Sequence, residues 1–208
     1  MNVPTLEGRH VRLEPLSETH IPALAQLASD AELWRWTMTQ VQTEADLVRY
    51  VHTALDEQRA AKSLPFATID RATGQVVGST RFGNVDSANR RVEIGWTWIA
   101  RPWQRTALNT EAKYLMLRWA FEDRGCIRVE LKTDALNETS RRAITRIGAV
   151  EEGVLRSHMI TPTGRIRDTV YFSIIASEWP GVRASLEEKL ARAAPAAPPH
   201  YLFAGDSQ

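Results

Sequence analysis

Cysteine is almost absent from this chain: Cys126 is the only one in 208 residues. An intrachain disulfide is therefore excluded, and a reducing, cytoplasmic setting is expected. No spacing among His10, His20, His52, His158 and His200 suits zinc, so no metal site is expected. Charge of one sign is lacking too. Lys and Arg (26) nearly cancel Asp and Glu (25), leaving +1. No global field then draws the chain to nucleic acid or to an acidic membrane, and any anion binding must be local. No apolar run approaches the ~20 residues of a membrane span. Met1 to Arg9 lacks the charged start and apolar centre of a secretory signal. Glycine is sparse where nucleotide loops need it. Neither Gly-x-Gly-x-x-Gly nor a P-loop occurs, which argues against a nucleotide-dependent oxidoreductase.

What is present is a 43% hydrophobic chain, enough for one folded domain. His10 to Pro15 alternates apolar and polar residues and reads as a strand. Ile21, Leu24, Ala25 and Ala28 fall on one helical face. Thr43 to Asp46 reads as a cap and acidic first turn opening a second helix to about Ala61. Leu64 to Ile69 and Val76 to Phe82 read as a hairpin, followed by a polar loop and a strand over Val92 to Ile99. Helix, strand and helix follow, over Asn109 to about Arg124, Arg128 to Thr133 and Asn137 to Ile147. Two late strands (Glu152 to Met159, Arg167 to Ile175) and a helix from Trp179 to about Leu190 complete the pattern. This order predicts an α/β (α+β) domain over 5–190. Its sheet is mixed and mostly antiparallel, of about seven strands, with helices on both faces. Residues 191–208, rich in Ala and Pro, read as a tail outside the domain.

Three places carry chemistry. The segment Gln104, Arg105, Thr106, Ala107, Leu108, Asn109, Thr110 links a buried strand to a long helix. The first amides of such a helix lack internal partners and sit in positive potential, which suits a diphosphate. Asn109 or Thr110 is the expected cap; an ordinary capped helix with surface arginines is the plainer alternative. On the strand Glu93-Ile-Gly-Trp-Thr-Trp-Ile99, period-two alternation puts Glu93, Gly95, Thr97 and Ile99 on one face. A carboxylate there can take a proton from an ammonium, or can simply pair with Arg90 or Arg91. At Asn137-Glu-Thr-Ser140, a hydroxyl opens a helix, either as a plain first-turn serine or as a reacting group. Trp34 and Trp36 form an aromatic cluster that suits either a substrate clamp or packing. Cys126, beside Gly125 at a helix-strand turn, reads as packing.

Several stretches in order resemble the GNAT superfamily of N-acetyltransferases, nearest its ribosomal-protein N-terminal acetyltransferase-like (RimJ/RimL-type) branch. They are Leu6 to Pro15, Asn109-Thr-Glu-Ala-Lys-Tyr-Leu115, Ala120-Phe-Glu122, Asn137 to Arg141, Ile147-Gly-Ala149 and Glu152 to Arg156. The similarity covers roughly residues 5–190. It implies acetyl-CoA as cofactor, with its diphosphate at Gln104 to Thr110. In that loop Ala107 and Asn109 stand where the superfamily has glycines. It implies Glu93 as general base, the strand end at Trp98 and Ile99 bonding the pantetheine arm, and Asn137 beside that arm. Many members carry a tyrosine seven residues after this asparagine; here the position is Ile144. The branch instead has a serine matching Ser140, implied to assist the leaving thiolate. Trp34, Trp36 and Glu93 are implied to border the acceptor. The expected partner is an amine, a peptide N-terminus or a small molecule such as an antibiotic or polyamine, with a homodimer as an option. A catalytically silent CoA-binding or interaction module is the alternative that the glycine-poor loop and Ile144 motivate.

Overall fold

The computed structural model describes residues 3–193. Ile21, Leu24, Ala25 and Ala28 form one side of helix α1 (Ile21–Ala28), with Leu24 and Ala28 buried. Helix α2 (Glu44–Arg59) starts at the expected cap. The Thr43 hydroxyl accepts from the Asp46 amide at 3.2 Å, and the Asp46 carboxylate accepts from the Thr43 amide at 2.8 Å. This reciprocal pair satisfies two amides that a helix start leaves without partners.

Eight strands form one sheet in the order β1-β2-β3-β4-β5-β6-β8-β7. They are β1 (Leu6–Glu7), β2 (Val11–Pro15), β3 (Leu64–Asp70), β4 (Val76–Asp86), β5 (Arg91–Ile99), β6 (Arg128–Asp134), β7 (Val150–Ile160) and β8 (Ile166–Ile175). About seven were expected; the extra one is the two-residue β1, too short to show a periodicity. Every neighbouring pair is antiparallel except β5 and β6, which run parallel. The helix between those two strands is α3 (Ala107–Arg118), and it closes with a π-type turn over Trp119–Asp123. Helices α4 (Glu138–Arg146) and α5 (Trp179–Arg192) follow. The segment expected as a tail lies outside the described residues from 194 onward, and its first two positions, Ala191 and Arg192, close α5.

Helices cover both faces of the sheet. On one face Leu24 of α1 and Leu47, Val51 and Ala54 of α2 pack with Trp34, Ala67 and Trp98. On the other, Leu108, Leu115 and Met116 of α3 join Ile144 of α4 and Leu186 of α5 over Phe82, Val92, Leu131 and Phe172. Glu111 on α3 is a polar anchor inside this second layer. Its carboxylate accepts from the Arg9, His10 and Val11 amides at 2.8, 2.5 and 2.8 Å. Three amides at the start of β2 thereby find a charged acceptor in place of water. The anchor fixes α3, and with it the loop that leads into it, against the sheet.

Candidate active site

The parallel pair parts early. β5 and β6 are in register at Arg91↔Arg128, Val92↔Val129 and Glu93↔Glu130, and no further. Beyond Glu93 the two strands splay, so that edge of β5 has no strand beside it. Within the splay β5 bulges. Its register against β4 shifts between Ser79↔Trp98 and Arg81↔Gly95, and Trp96 takes φ 50°. A bulge adds one residue and re-aims the side chains after it. Period-two parity is therefore inverted: Glu93, Gly95, Thr97 and Ile99 do not share a face as expected. Trp96 lies with Glu93 and Gly95, its ring so close to Gly83 that a Cβ there would meet it at 2.3 Å. Thr97 and Ile99 turn to the α3 side instead.

The bulge is held from both faces. From α2, the Tyr50 hydroxyl donates to the Trp96 carbonyl at 3.2 Å. From α3, the Lys113 Nζ donates to the Thr97 hydroxyl at 2.6 Å and the Thr80 hydroxyl at 3.2 Å, and Thr97 in turn donates to the Gly95 carbonyl at 3.4 Å. No acid among the described residues partners Lys113, and burial pushes its pKa down to about 7.

Glu93 sits where the strands part. It is 3% exposed, and its carboxylate pairs with Lys132 Nζ at 2.9 Å and accepts from Asn84 Nδ2 at 2.7 Å. The neighbours considered from sequence do not hold it: Arg91 pairs with Asp86 and Glu130. Trp98 packs inward on Trp34, with ring centroids 5.4 Å apart. The carbonyl of buried Ile99 accepts from Gln104 Nε2 at 2.8 Å.

Helix α3 begins earlier than expected. Its cap is Thr106, whose hydroxyl accepts from the Leu108 amide at 3.3 Å, so Asn109 and Thr110 lie inside the first turn. The left-handed residue of the loop is Arg105, at φ 61°. Ala107 and Asn109 are helical and do not need glycine's freedom. The loop fits a diphosphate. The first turn holds no acidic residue, Arg105 is exposed beside it, and Arg146 reaches across from α4 to the Thr110 hydroxyl at 3.0 Å. The Asn109 Oδ1 is buried with no hydrogen-bond partner among the described residues; as an acceptor it offers nothing to an anion, and only the Nδ2 of that side chain could donate to a phosphate.

At the other side of the splay Asn137 caps α4, its Oδ1 accepting from the Ser140 amide at 3.0 Å. The half-buried Ser140 hydroxyl has no hydrogen bond among the described residues. Ile144 is a core residue. The two tryptophans separate in role. Trp34 is 2% exposed, its indole N–H donating to the Ala28 carbonyl at 2.7 Å. It packs the core and cannot clamp a substrate. Trp36 is half-buried and lies over the Arg165 guanidinium at 5.3 Å, above the β7–β8 turn. Burial pushes the Cys126 thiol up, consistent with packing.

Sequence reasoning missed Tyr50, Lys113 and Lys132. Lys113 adjoins the apolar stripe of α3, where a lysine normally reads as a stem reaching out to water. Tyr50 and Lys132 act across long separations in the chain, and no local pattern marks them.

Comparison with known proteins gives four findings. The family described as Acetyltransferase (GNAT) domain matches residues 10–150. A candidate ribosomal N-acetyltransferase of Bacillus subtilis, YdaF, is 35% identical over 108 residues, which are 52% of this chain and 58% of that protein, so the match spans little more than half of that relative. Among solved structures, a GCN5-related N-acetyltransferase from Brucella melitensis superposes with TM-score 0.85 at 32% identity, covering 92% of this chain and 87% of that one. Mycobacterium smegmatis RimJ in complex with CoA-disulfide superposes with TM-score 0.76 at 25% identity, covering 93% and 96%.

Proposed function

We propose that this chain, which belongs to the GNAT acetyltransferase family, is an N-acetyltransferase of the RimJ/RimL-like branch that uses acetyl-CoA, and that the amine it acetylates is the α-amino group of a protein or peptide. The observation that carries the reading is the carboxylate of Glu93, buried where β5 and β6 part. An α-amine has a pKa of about 7.7–8.0, against roughly 10.4 for a lysine side chain. Near neutral pH one carboxylate, acting directly or through water, suffices to deprotonate the former. The name of the B. subtilis relative, a ribosomal N-acetyltransferase, points the same way.

The residue roles follow. The amide-rich start of α3, with Arg105 and Arg146, binds the anionic end of the cofactor, and the Asn109 Nδ2 adds a side-chain N–H donor. The cofactor supplies an acyl group activated as a thioester. The β5 segment through Trp96 to Ile99 offers backbone groups along the splay. Its bulge, held rigid by Tyr50 and Lys113, keeps N–H groups in place where negative charge develops on the acyl oxygen. Glu93 receives the amine proton, and Lys132 and Asn84 fix its orientation. Ser140 donates a hydrogen bond to the departing sulfur. Asn137 sets the turn that presents it. Trp36 borders the acceptor. The lone cysteine suits a reducing compartment, and we place the enzyme in the cytoplasm; no helix of the described residues is long and apolar enough to cross a membrane. Two matched peptides test the acceptor: one with a free N-terminus and its lysine blocked, one with a blocked N-terminus and a free lysine. Mass spectrometry should find acetyl only on the first; acetylation confined to the second overturns the α-amine assignment.

A further inference from the structure

On the sheet face that carries Glu93, β8 holds two polar groups that the reaction above does not use. Val170, Phe172 and Ile174 point into the core beneath α3 and α5, so the alternate residues Arg167, Thr169 and Tyr171 take the opposite face. Arg167 is 5% exposed and Thr169 fully buried. Neither the Arg167 Nε nor the Thr169 hydroxyl has a hydrogen-bond partner, and the rest of the guanidinium bonds to nothing among the described residues. The nearest opposite charge, Asp134 Oδ2, is 3.9 Å from Nε. That carboxylate is already engaged by Arg165 and by the Leu136 amide. A guanidinium offers five N–H donors in a planar fork; sealing its Nε away without an acceptor is costly, and the two terminal nitrogens are not among the sealed atoms. Burial accordingly pushes its pKa down.

The neighbours place this pair beside the acceptor. Lys132, which grips Glu93, is two residues before Asp134 on the same strand and face. Asp134 is the register partner of Thr169. Glu93 and Tyr171 both act electrostatically on Arg167. Trp36 covers Arg165 at the same end of the sheet. A row thus runs from Glu93 through Lys132 and Asp134 to Arg167, with the carboxylate for the amine at one end and a pair of unused donors at the other.

We infer that Arg167 and the Thr169 hydroxyl form an acceptor subsite that binds a carbonyl or carboxylate oxygen carried close to the reacting amine. The substrate class is then an α-amino acyl compound, not a plain alkyl amine or polyamine. The inference rests on the α-amine reading above and deepens it. A planar fork matches such an oxygen, and the threonine completes the set with one O–H.

Steady-state kinetics on three acceptors tests this: a short peptide with a free N-terminus, a free α-amino acid, and an alkyl amine lacking any carbonyl. Arg167→Met should raise KM for the peptide roughly 10–100-fold, the loss of hydrogen bonds to a charged donor. KM for acetyl-CoA and the efficiency on the alkyl amine should stay unchanged. Thr169→Val should give a smaller rise with the same selectivity, and Arg167→Lys should recover part of the loss. Preference for the peptide over the amino acid identifies a peptide carbonyl as the ligand; the reverse identifies a carboxylate. Melting curves of the same preparations separate a structural role. If Arg167 merely balances Asp134, Arg167→Met lowers the melting temperature and hurts all acceptors alike, and the subsite is refuted. Undiminished peptide KM in a folded variant refutes it as well while the α-amine reading stands. A wild-type enzyme active on the alkyl amine alone refutes both.

Discussion

Replacing Lys113 by methionine should make the protein more stable and less active at once. The structure supplies both signs. Lys113 is buried in the layer between α3 and the sheet with no acidic partner among the described residues, and its pKa falls from 10.5 to about 7. A displacement of that size corresponds to about 5 kcal/mol of stability withheld near pH 7. Methionine fills similar volume without that desolvation. It forfeits the contacts to Thr80 and Thr97, about 0.5–1.5 kcal/mol each, so the net gain at pH 7 should be about 2 kcal/mol or more. Between about pH 7 and 10.5 the unfolded wild-type chain holds a proton that the folded chain lacks. Wild-type stability must therefore rise with pH across that window, relative to the variant, and the difference should stay flat below pH 7. From pH 7 to 9.5 the variant's advantage should shrink by about 3 kcal/mol. Urea melts of both proteins at the two pH values measure this directly. Turnover should fall regardless, because Thr97 and the bulge lose their tether. Parallel pH profiles, or a variant less stable than wild type at pH 7, would refute a Lys113 amine whose pKa burial lowers.

Ala107→Glu should abolish binding of coenzyme A in calorimetry, since the carboxylate would face the diphosphate in the first turn of α3; unchanged affinity would move the cofactor elsewhere. Glu93→Gln should cut kcat by about 10²-fold at pH 7, with acetyl-CoA affinity retained. That loss should shrink towards pH 9 as the amine deprotonates unaided, and a loss that ignores pH would remove Glu93 from the base role. Ser140→Ala should lower kcat by about 10²-fold or less with a near-normal melting temperature. Because the cap of α4 is Asn137 and not Ser140, a destabilised but fully active variant would instead make Ser140 structural.

How far the sequence could be read depended on the range of the interaction. Local signals were legible. Thr43 and Asp46 name each other across one helical turn, and the alternation in β2 needs no distant partner. The start of α3 was placed too late because Thr106, Asn109 and Thr110 are all capable caps within five positions. Only packing of Leu108 and Ala112 against the sheet decides among them. The bulge at Trp96 was invisible. Tryptophan is an unusual residue for positive φ, and what holds it there comes from Tyr50 on α2 and from Lys113 on α3 through the adjoining Thr97. One hidden residue was enough to invert the expected facing of Thr97 and Ile99. Glu93 was found by its place on a strand, but its true partner, Lys132, sits across the one parallel junction of the sheet.

Free-thiol release on mixing the wild-type protein with acetyl-CoA and a peptide bearing a free N-terminus tests the central claim most directly. The account predicts catalytic release that depends on the peptide and matches, mole for mole, acetyl appearing on its N-terminus. Tight binding of coenzyme A with no thiol released, across peptides and small amines alike, would contradict it and leave a silent cofactor-binding module in its place.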